Sequence, residues 1–265
     1  MDRSEPDLEA VPYLGCARAE KVMQKRFVIK RLGTQSLLPL IGAMWGVGMA
    51  PAIASFDPPP DQGSPVGTAG GGSRPAQSAC FPKTRNLSVL TALSPTTYVG
   101  LTTQARPTVR VYLPPTTAQV AELSLFDAQG RGLYQTIVPI SRTDTFMQFS
   151  FPSAAPALSA QQPYYWTVAL ICNQNQRTDD WIIGGWIRQQ QPDSLLQQRL
   201  ATTYGIDKVK LYAEAGFWYD ALETLVQLQQ AQPHNAALGS TWTNLLQSIG
   251  LPQLASMPSH SFTDQ

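Results

Sequence analysis

The chain has 265 residues, of which 43% are hydrophobic and 14% charged, and its formal net charge is +1. That length allows one large domain or two small ones, and the charged fraction lies below the roughly 25% usual for soluble globular domains. So neutral a balance gives no footing for nucleic-acid affinity or for an acidic partner.

The first 22 residues are polar and acidic and read as an upstream start-site extension. From Met23 the pattern changes. Lys25, Arg26, Lys30 and Arg31 form a basic head, and Leu37 to Ala50 is an uncharged, mostly apolar run of 14 residues. Ala52 and Ala54 then give a small-x-small pattern before Ser55. This is the layout of a secretory signal peptide cleaved between Ala54 and Ser55, so residues 1–54 are excluded from the fold. The alternative, a retained N-terminal anchor, meets the difficulty that a membrane span needs about 20 apolar residues. From Ser55 onward there are 12 Lys and Arg against 13 Asp and Glu, so the formal positive charge belongs to the leader. Cleavage also removes Cys16 and leaves Cys80 and Cys172. Two cysteines in an oxidising compartment suggest one disulfide, with two independent buried thiols as the alternative.

Residues 55–85 are rich in Pro, Gly and Ser and have little apolar periodicity, which predicts a flexible linker. Its "GTAGGGSR" lacks the Gly-Lys-Ser/Thr ending of a phosphate loop. Residues 86–190 carry strand signals. "LSVLTAL" (Leu87 to Leu93) is the first, and "TVRVYLP" (Thr108 to Pro114) sets Val109, Val111 and Leu113 on one face. "AELSLFDAQGRGLYQTIVPI" reads as a hairpin turning at Asp127 to Gly130. "TFMQFSF" puts Phe146 out of phase with Met147, Phe149 and Phe151. "YYWTVALIC" (Tyr164 to Cys172) is the most apolar strand, and "WIIGGWIR" (Trp181 to Arg188) has a Gly pair suited to a bulge. About seven strands with recurring turn signals and no intervening helices predict an antiparallel β-sandwich. In "LSAQQPYYWTV" Leu158 precedes Tyr164 by six residues, and Tyr164, Trp166, Val168, Leu170 and Cys172 share a face. This resembles the tyrosine corner of immunoglobulin and fibronectin III sandwiches, in which a Tyr hydroxyl closes onto the backbone.

Residues 191–257 read as helices. Asp193 or Ser194 caps the first, with Leu195, Leu196, Leu200 and Tyr204 spaced for one face. Asp207 caps a second over Lys208 to Ala215, Gly216 interrupts it, and a third runs from Phe217 or Trp218 to about Gln230 before Pro233. The order Tyr212, Gly216, Trp218, Ala221, Leu225, Leu228, Pro233 resembles a tetratricopeptide repeat. One repeat and a fragment is short for independence, so this TPR-like module is expected to pack on the sandwich. A generic helical hairpin is the alternative. The fold class is therefore α+β, β then α, with residues 258–265 as a disordered tail.

Further likeness lies in the order of "GGGSR…C", "LTALSP", "VGLTTQARPTVRVYLP", "YYWTVALIC", "GWIR" and "LYAEAGFWYDALETL". The chain resembles the cyanobacterial domain of unknown function 928 over about Gly70 to Ala255, most specifically in "AGFWYDALETL". The resemblance implies secreted or periplasmic proteins of cyanobacteria with no established activity, and no functional residue to carry over.

The residues themselves offer no catalytic or metal constellation, and no cofactor is expected. His234 and His260 have no neighbouring Cys or carboxylate at ligand spacing, and no Gly-x-Ser-x-Gly elbow occurs. Among carboxylates, Asp179 and Asp180 sit at a turn. Glu214 stands apart, and Asp220 and Glu223 share a helix face whose plain account is solvation. Phe217, Trp218 and Tyr219 are consecutive, and one helical stripe cannot bury all three, so they are the candidate binding surface. The alternative is that all three are core or interdomain packing. The expectation is a non-catalytic, periplasmic or secreted protein that binds another envelope or secreted protein, with no stable transmembrane span after cleavage. The alternative is an envelope glycan-binding module or carbohydrate-active enzyme, with Asp220 and Glu223 gathered beside Trp218 or Trp186.

Overall fold

A computed structural model describes residues 54–58, 80, 89–140, 146–255 and 262–264. The proposed leader, except Ala54, and most of the 55–85 linker lie outside the described residues. The strands are β1 (Thr91–Ala92), β2 (Gly100–Thr102), β3 (Thr108–Tyr112), β4 (Val120–Asp127), β5 (Gly132–Pro139), β6 (Phe146–Ser150), β7 (Pro163–Leu170), β8 (Trp181–Gln189) and β9 (Phe262–Asp264). The helices are α1 (Ser194–Thr202), α2 (Gly205–Glu214), α3 (Trp218–Ala231), α4 (Ala236–Ser248) and α5 (Pro252–Ala255). The chain is thus α+β, with β1–β8 first, the helices after them and β9 last.

The strands form two sheets, in the orders β1-β3-β6-β9 and β2-β8-β7-β4-β5. Both are mixed rather than antiparallel, because β2 runs parallel to β8 and β9 parallel to β6. Segments of three residues are too short to show an alternation, so neither was visible as a strand. Phe262–Asp264 fall in the predicted tail but are strand β9, and "LSVLTAL" contributes only the two residues of β1. The hairpin β4–β5 is as expected, with a register shift between Leu125 and Phe126. No shift occurs at Gly184–Gly185, where β8 pairs with β7 in unbroken register, so the expected bulge is absent there. These glycines serve close approach instead: a Cβ on Gly184 would stand 2.9 Å from Tyr165 Oη, and one on Gly185 3.1 Å from Trp166 Cε2.

Period-two alternation decides what each sheet faces. Ala121, Leu123 and Leu125 of β4, with Tyr164, Trp166 and Val168 of β7, meet Val109 and Val111 of β3 and Met147 and Phe149 of β6 in one apolar core. The opposite face of the four-stranded sheet is also covered, by helices. Arg110 is 2% exposed and donates to Gln148 Oε1 at 2.8 Å and to the Glu223 carboxylate of α3 at 2.7 Å. Phe146 meets Trp242 of α4 edge to face at 5.3 Å between centroids. The layers are therefore sheet, sheet and helices. The corner before β7 closes as expected, with the Ser159 N–H donating to Tyr164 Oη at 3.1 Å.

One helix start is as expected and another differs. Asp193 caps α1, accepting from the Leu196 N–H at 2.7 Å. Helix α2 begins at Gly205, ahead of the predicted Asp207 cap. In α1 only Leu200 is buried, while Leu195 and Tyr204 are exposed, so the predicted apolar stripe is not a packed one. Gly216 adopts φ +79°, the left-handed conformation that lets the chain turn from α2 into α3.

Cys80 and Cys172 are joined by a disulfide, with Cα atoms 5.0 Å apart and a sequence separation of 92 residues. Both ends are held independently: Cys80 O accepts from the Thr117 N–H at 2.9 Å, and the Cys172 N–H donates to Asp180 Oδ1 at 3.1 Å. A link closing so long a loop acts chiefly on the unfolded chain and is worth about 2–4 kcal/mol. Replacing Cys80 and Cys172 together by Ser is expected to lower the unfolding free energy by that amount, read as a lower urea midpoint, while leaving the far-ultraviolet circular dichroism unchanged. An unchanged midpoint would show that the surrounding hydrogen bonds suffice.

Candidate functional site

Phe217, Trp218 and Tyr219 do not form a surface. They are 2%, 0% and 3% exposed, so the packing alternative is the correct one for all three. The physical reason is that they lie at the start of α3, where the chain meets three different neighbours rather than one stripe. Phe217 packs on Tyr212 of α2, with ring centroids 6.3 Å apart. Trp218 meets Phe56 edge to face at 5.5 Å and donates its indole N–H to Leu93 O at 2.9 Å.

Tyr219 enters the core between the sheets. Its hydroxyl lies 3.0 Å from Trp186 O, 2.8 Å from Trp166 Nε1 and 3.0 Å from Ser94 Oγ. A phenol has one proton. Since the indole can only donate and the carbonyl can only accept, Tyr219 gives its proton to Trp186 O, and the Ser94 hydroxyl donates to Tyr219. Burial raises its pKa, so it remains a neutral phenol. A Cβ on Gly100 would stand 2.7 Å from the Tyr219 ring, so the absence of a side chain there makes room for it.

The carboxylates are brackets between the layers. Asp220 Oδ2 accepts from the Thr103 N–H at 2.9 Å, and its other oxygen accepts from Thr103 Oγ1. Burial raises the Asp220 pKa against the opposing effect of the Thr103 bonds. Glu223 holds Arg110. Both acids share the helix face predicted for them, and both line a seam cavity of about 450 Å³ with Arg106, Lys208 and Tyr212. Trp186 lies elsewhere and Trp218 is buried, so the arrangement required for the enzymatic alternative is not assembled. Asp180 binds Arg177 and the Cys172 N–H, while Glu214 and His234 are exposed. Ala54 is buried and Ser55 exposed; His260 lies outside the described residues. Among the described residues no group of three or more His, Cys, Asp or Glu could hold a metal ion, and no helix is long and apolar enough to cross a membrane.

A groove of about 900 Å³ lies on the outer face of the five-stranded sheet. The strand registers place Phe126, Tyr165 and Trp186 side by side across β4, β7 and β8. The next row is small: Gln135, Ser124, Thr167 and Gly184. A third row holds Ile137, Glu122, Ala169 and Ile182. A floor of small residues between two rows of large ones makes the trough. Tyr165 and Trp186 pack with centroids 5.2 Å apart, and burial raises the Tyr165 pKa. Glu122 pairs with Arg177 at 3.1 Å at the trough's end. Ile182 remains 42% exposed. The sequence reading named only Trp186 of this face. The others could have been found by taking the side chains opposite each core residue on β4, β7 and β8.

A family model, Domain of Unknown Function (DUF928), matches residues 69–259. No curated protein matches the chain. A solved structure, the fn3 domain of human collagen alpha-1(XX) chain, is similar at 11% identity over 47% of this chain and 95% of that chain, with a TM-score of 0.24. The fold described above rests on the strands and their pairing, not on that similarity.

Two outcomes test these interactions. Tyr219→Phe should lower stability by about 1–3 kcal/mol, because Trp166, Ser94 and Trp186 O each lose a buried partner; urea denaturation measures it, and an unchanged midpoint would contradict the assignment. Asp220 binds its proton more tightly folded than unfolded, so its stabilising contribution is greatest below the unfolded pKa of about 3.9 and declines as pH rises through the raised folded value. The stability difference between wild type and Asp220→Asn should therefore move in the variant's favour from pH 3 to pH 7, and a flat difference would refute this.

Proposed function

The chain belongs to the DUF928 family, and we propose that it is a non-catalytic extracytoplasmic binding protein whose contact surface is the outer face of the five-stranded sheet. One observation carries this reading. Among the described residues, the four-stranded sheet is covered on both faces, whereas the five-stranded sheet leaves open an aromatic row, a trough beside it and the exposed Ile182. Aromatic anchors beside a shallow trough are what protein-recognition surfaces use. The Cys80–Cys172 disulfide supports an oxidising, periplasmic or secreted setting. The leader before Ser55 and the cyanobacterial origin belong to the same proposal.

The partner on this reading is another envelope or secreted protein. A glycan is the second reading, favoured by Phe126, Tyr165 and Trp186 lying beside the polar Ser124, Thr167 and Gln135, since sugar rings stack on aromatic faces while their hydroxyls need polar neighbours. At the level of ancestry, the Tyr164–Ser159 bond supports an immunoglobulin or fibronectin III-like sandwich. The buried Ala221, with Gly216 at the α2–α3 turn, supports a TPR-like hairpin.

Crosslinking in the native cells, followed by isolation of the protein, tests the reading. A single dominant protein should be recovered with wild type and with a Leu195→Lys control, and recovery should fall by about tenfold or more with Ile182→Lys at unchanged melting temperature. Recovery indifferent to Ile182→Lys would remove the sheet face as the site, and polysaccharide alone would select the glycan reading.

A further inference from the structure

The two edges of the five-stranded sheet differ. At one, β2 is three residues long and covered: the Leu101 N–H donates to Gly216 O at 3.1 Å, at the turn into α3. At the other, β5 is eight residues long, and Gly132, Leu133, Gln135, Ile137 and Pro139 are exposed. The four-stranded sheet ends in β1 and β9, of two and three residues. Proteins blunt long free edges with charge, Pro, bulges, brevity or cover, and β5 carries Pro139 at its end and the register shift beside Gly132. The β5 sequence, GLYQTIVP, contains no charged residue.

Among the described residues, the pairing shows which backbone groups of β5 have no strand beside them. The Ile140 N–H donates to Gln119 O at 2.9 Å, and residues 120–125 pair in step with 139–134. In an antiparallel ladder such hydrogen-bonded positions alternate. Tyr134, Thr136 and Val138 therefore turn their N–H and C=O groups towards β4, and Leu133, Gln135 and Ile137 turn theirs outward. Pro139 belongs to the outward set, so its missing N–H costs the β4 ladder nothing.

We propose that β5 pairs antiparallel with β5 of a second copy about a two-fold axis at Gln135, fusing two five-stranded sheets into one. In this register Gln135 lies opposite Gln135, and Leu133 opposite Ile137 twice. Each opposed residue is outward-pointing, so each pair exchanges two backbone hydrogen bonds. The side chains that meet are the exposed apolar ones of the strand, Leu133 at 40% and Ile137 at 58%. Sliding by two residues sets Leu133 against Pro139, which has no N–H to give, or leaves Leu133 against Gln135. The strand is thus its own complement in one register, and with no charge along it the second copy meets no like-charge repulsion. Because β2 is covered, the assembly closes as a two-fold dimer rather than continuing as a filament. The contact is small, so the dimer is weak and concentration-dependent. The proposal does not depend on what occupies the outer face.

Sedimentation equilibrium of the full chain over a broad concentration range tests it. Wild type should pass reversibly from monomer to dimer, and Gln135→Lys, which sets two ammonium groups across the axis, should raise the dimer Kd by at least about tenfold. The register is read by mild oxidation of Cys16→Ser chains. Gln135→Cys should give a covalent dimer, because opposed hydrogen-bonded residues stand about 5.5 Å apart, within disulfide reach. Ile137→Cys should not, since its counterpart across the axis is Leu133. A monomer at every concentration, open-ended association, a dimer indifferent to Gln135→Lys, or crosslinking of Ile137→Cys as efficient as that of Gln135→Cys would each overturn the proposal.

Discussion

The Tyr219 hydroxyl is the point on which the layers are joined. It belongs to α3, yet its bonds run to the β1–β2 connection, to β7 and to β8. Each bonding capacity of the oxygen is used once, so the indole of Trp166 can lie in the core without an orphaned N–H. Gly100 and Gly185 are both explained by the same centre, since a side chain at either would occupy the space taken by Tyr219, Ser94 or Trp166. The helical segment is thus a structural part of the two-sheet core. Its first aromatic residues are the plug that the open side of that core requires.

The second organising fact is asymmetry. Alternation along β3 and β6 gives both faces of the four-stranded sheet to packing, one on the other sheet and one on α3 and α4. Arg110 can be buried within this interface because Gln148 and Glu223 receive it. Among the described residues the five-stranded sheet packs on one face alone, and Ile182 and Ile137 of its outer face stay exposed. Asp220 and Glu223, which on sequence alone look like a solvated pair, are committed to holding loop and strand against the helix.

Long, strongly periodic segments were legible in the sequence. β3, β4 and β6 announced themselves by alternation, β5, β7 and β8 by β-rich or apolar runs, the corner before β7 by spacing, α1 by its cap and α3 by the break at Gly216 and the stop at Pro233. What escaped was whatever depends on distant partners. β2 and β9 are strands only because β8 and β6 lie beside them. Three successive large aromatics look too many for one helix stripe, but a helix end wedged between layers has neighbours all round. The Gly184–Gly185 pair suggested a bulge, whereas the reason for it lies in what packs on them: Trp166 O and Tyr165 against Gly184, Ser94 and Trp166 against Gly185. The outer sheet face was implied by the same alternation that revealed the core, as its complement.

The segment after Ala54 has a mechanical consequence. Phe56 packs against Trp218, its N–H donates to Ser248 Oγ at 3.1 Å, and the Asp57 N–H donates to Ala213 O at 3.1 Å. Farther along, Cys80 is covalently fixed to Cys172. Phe56 is therefore held to the folded body noncovalently and Cys80 covalently. A pull applied at Ser55 would load the seat of Phe56 first. Once that seat yields, the force would pass to the disulfide without reaching the strands between, so the protein has a releasable catch in series with a permanent one.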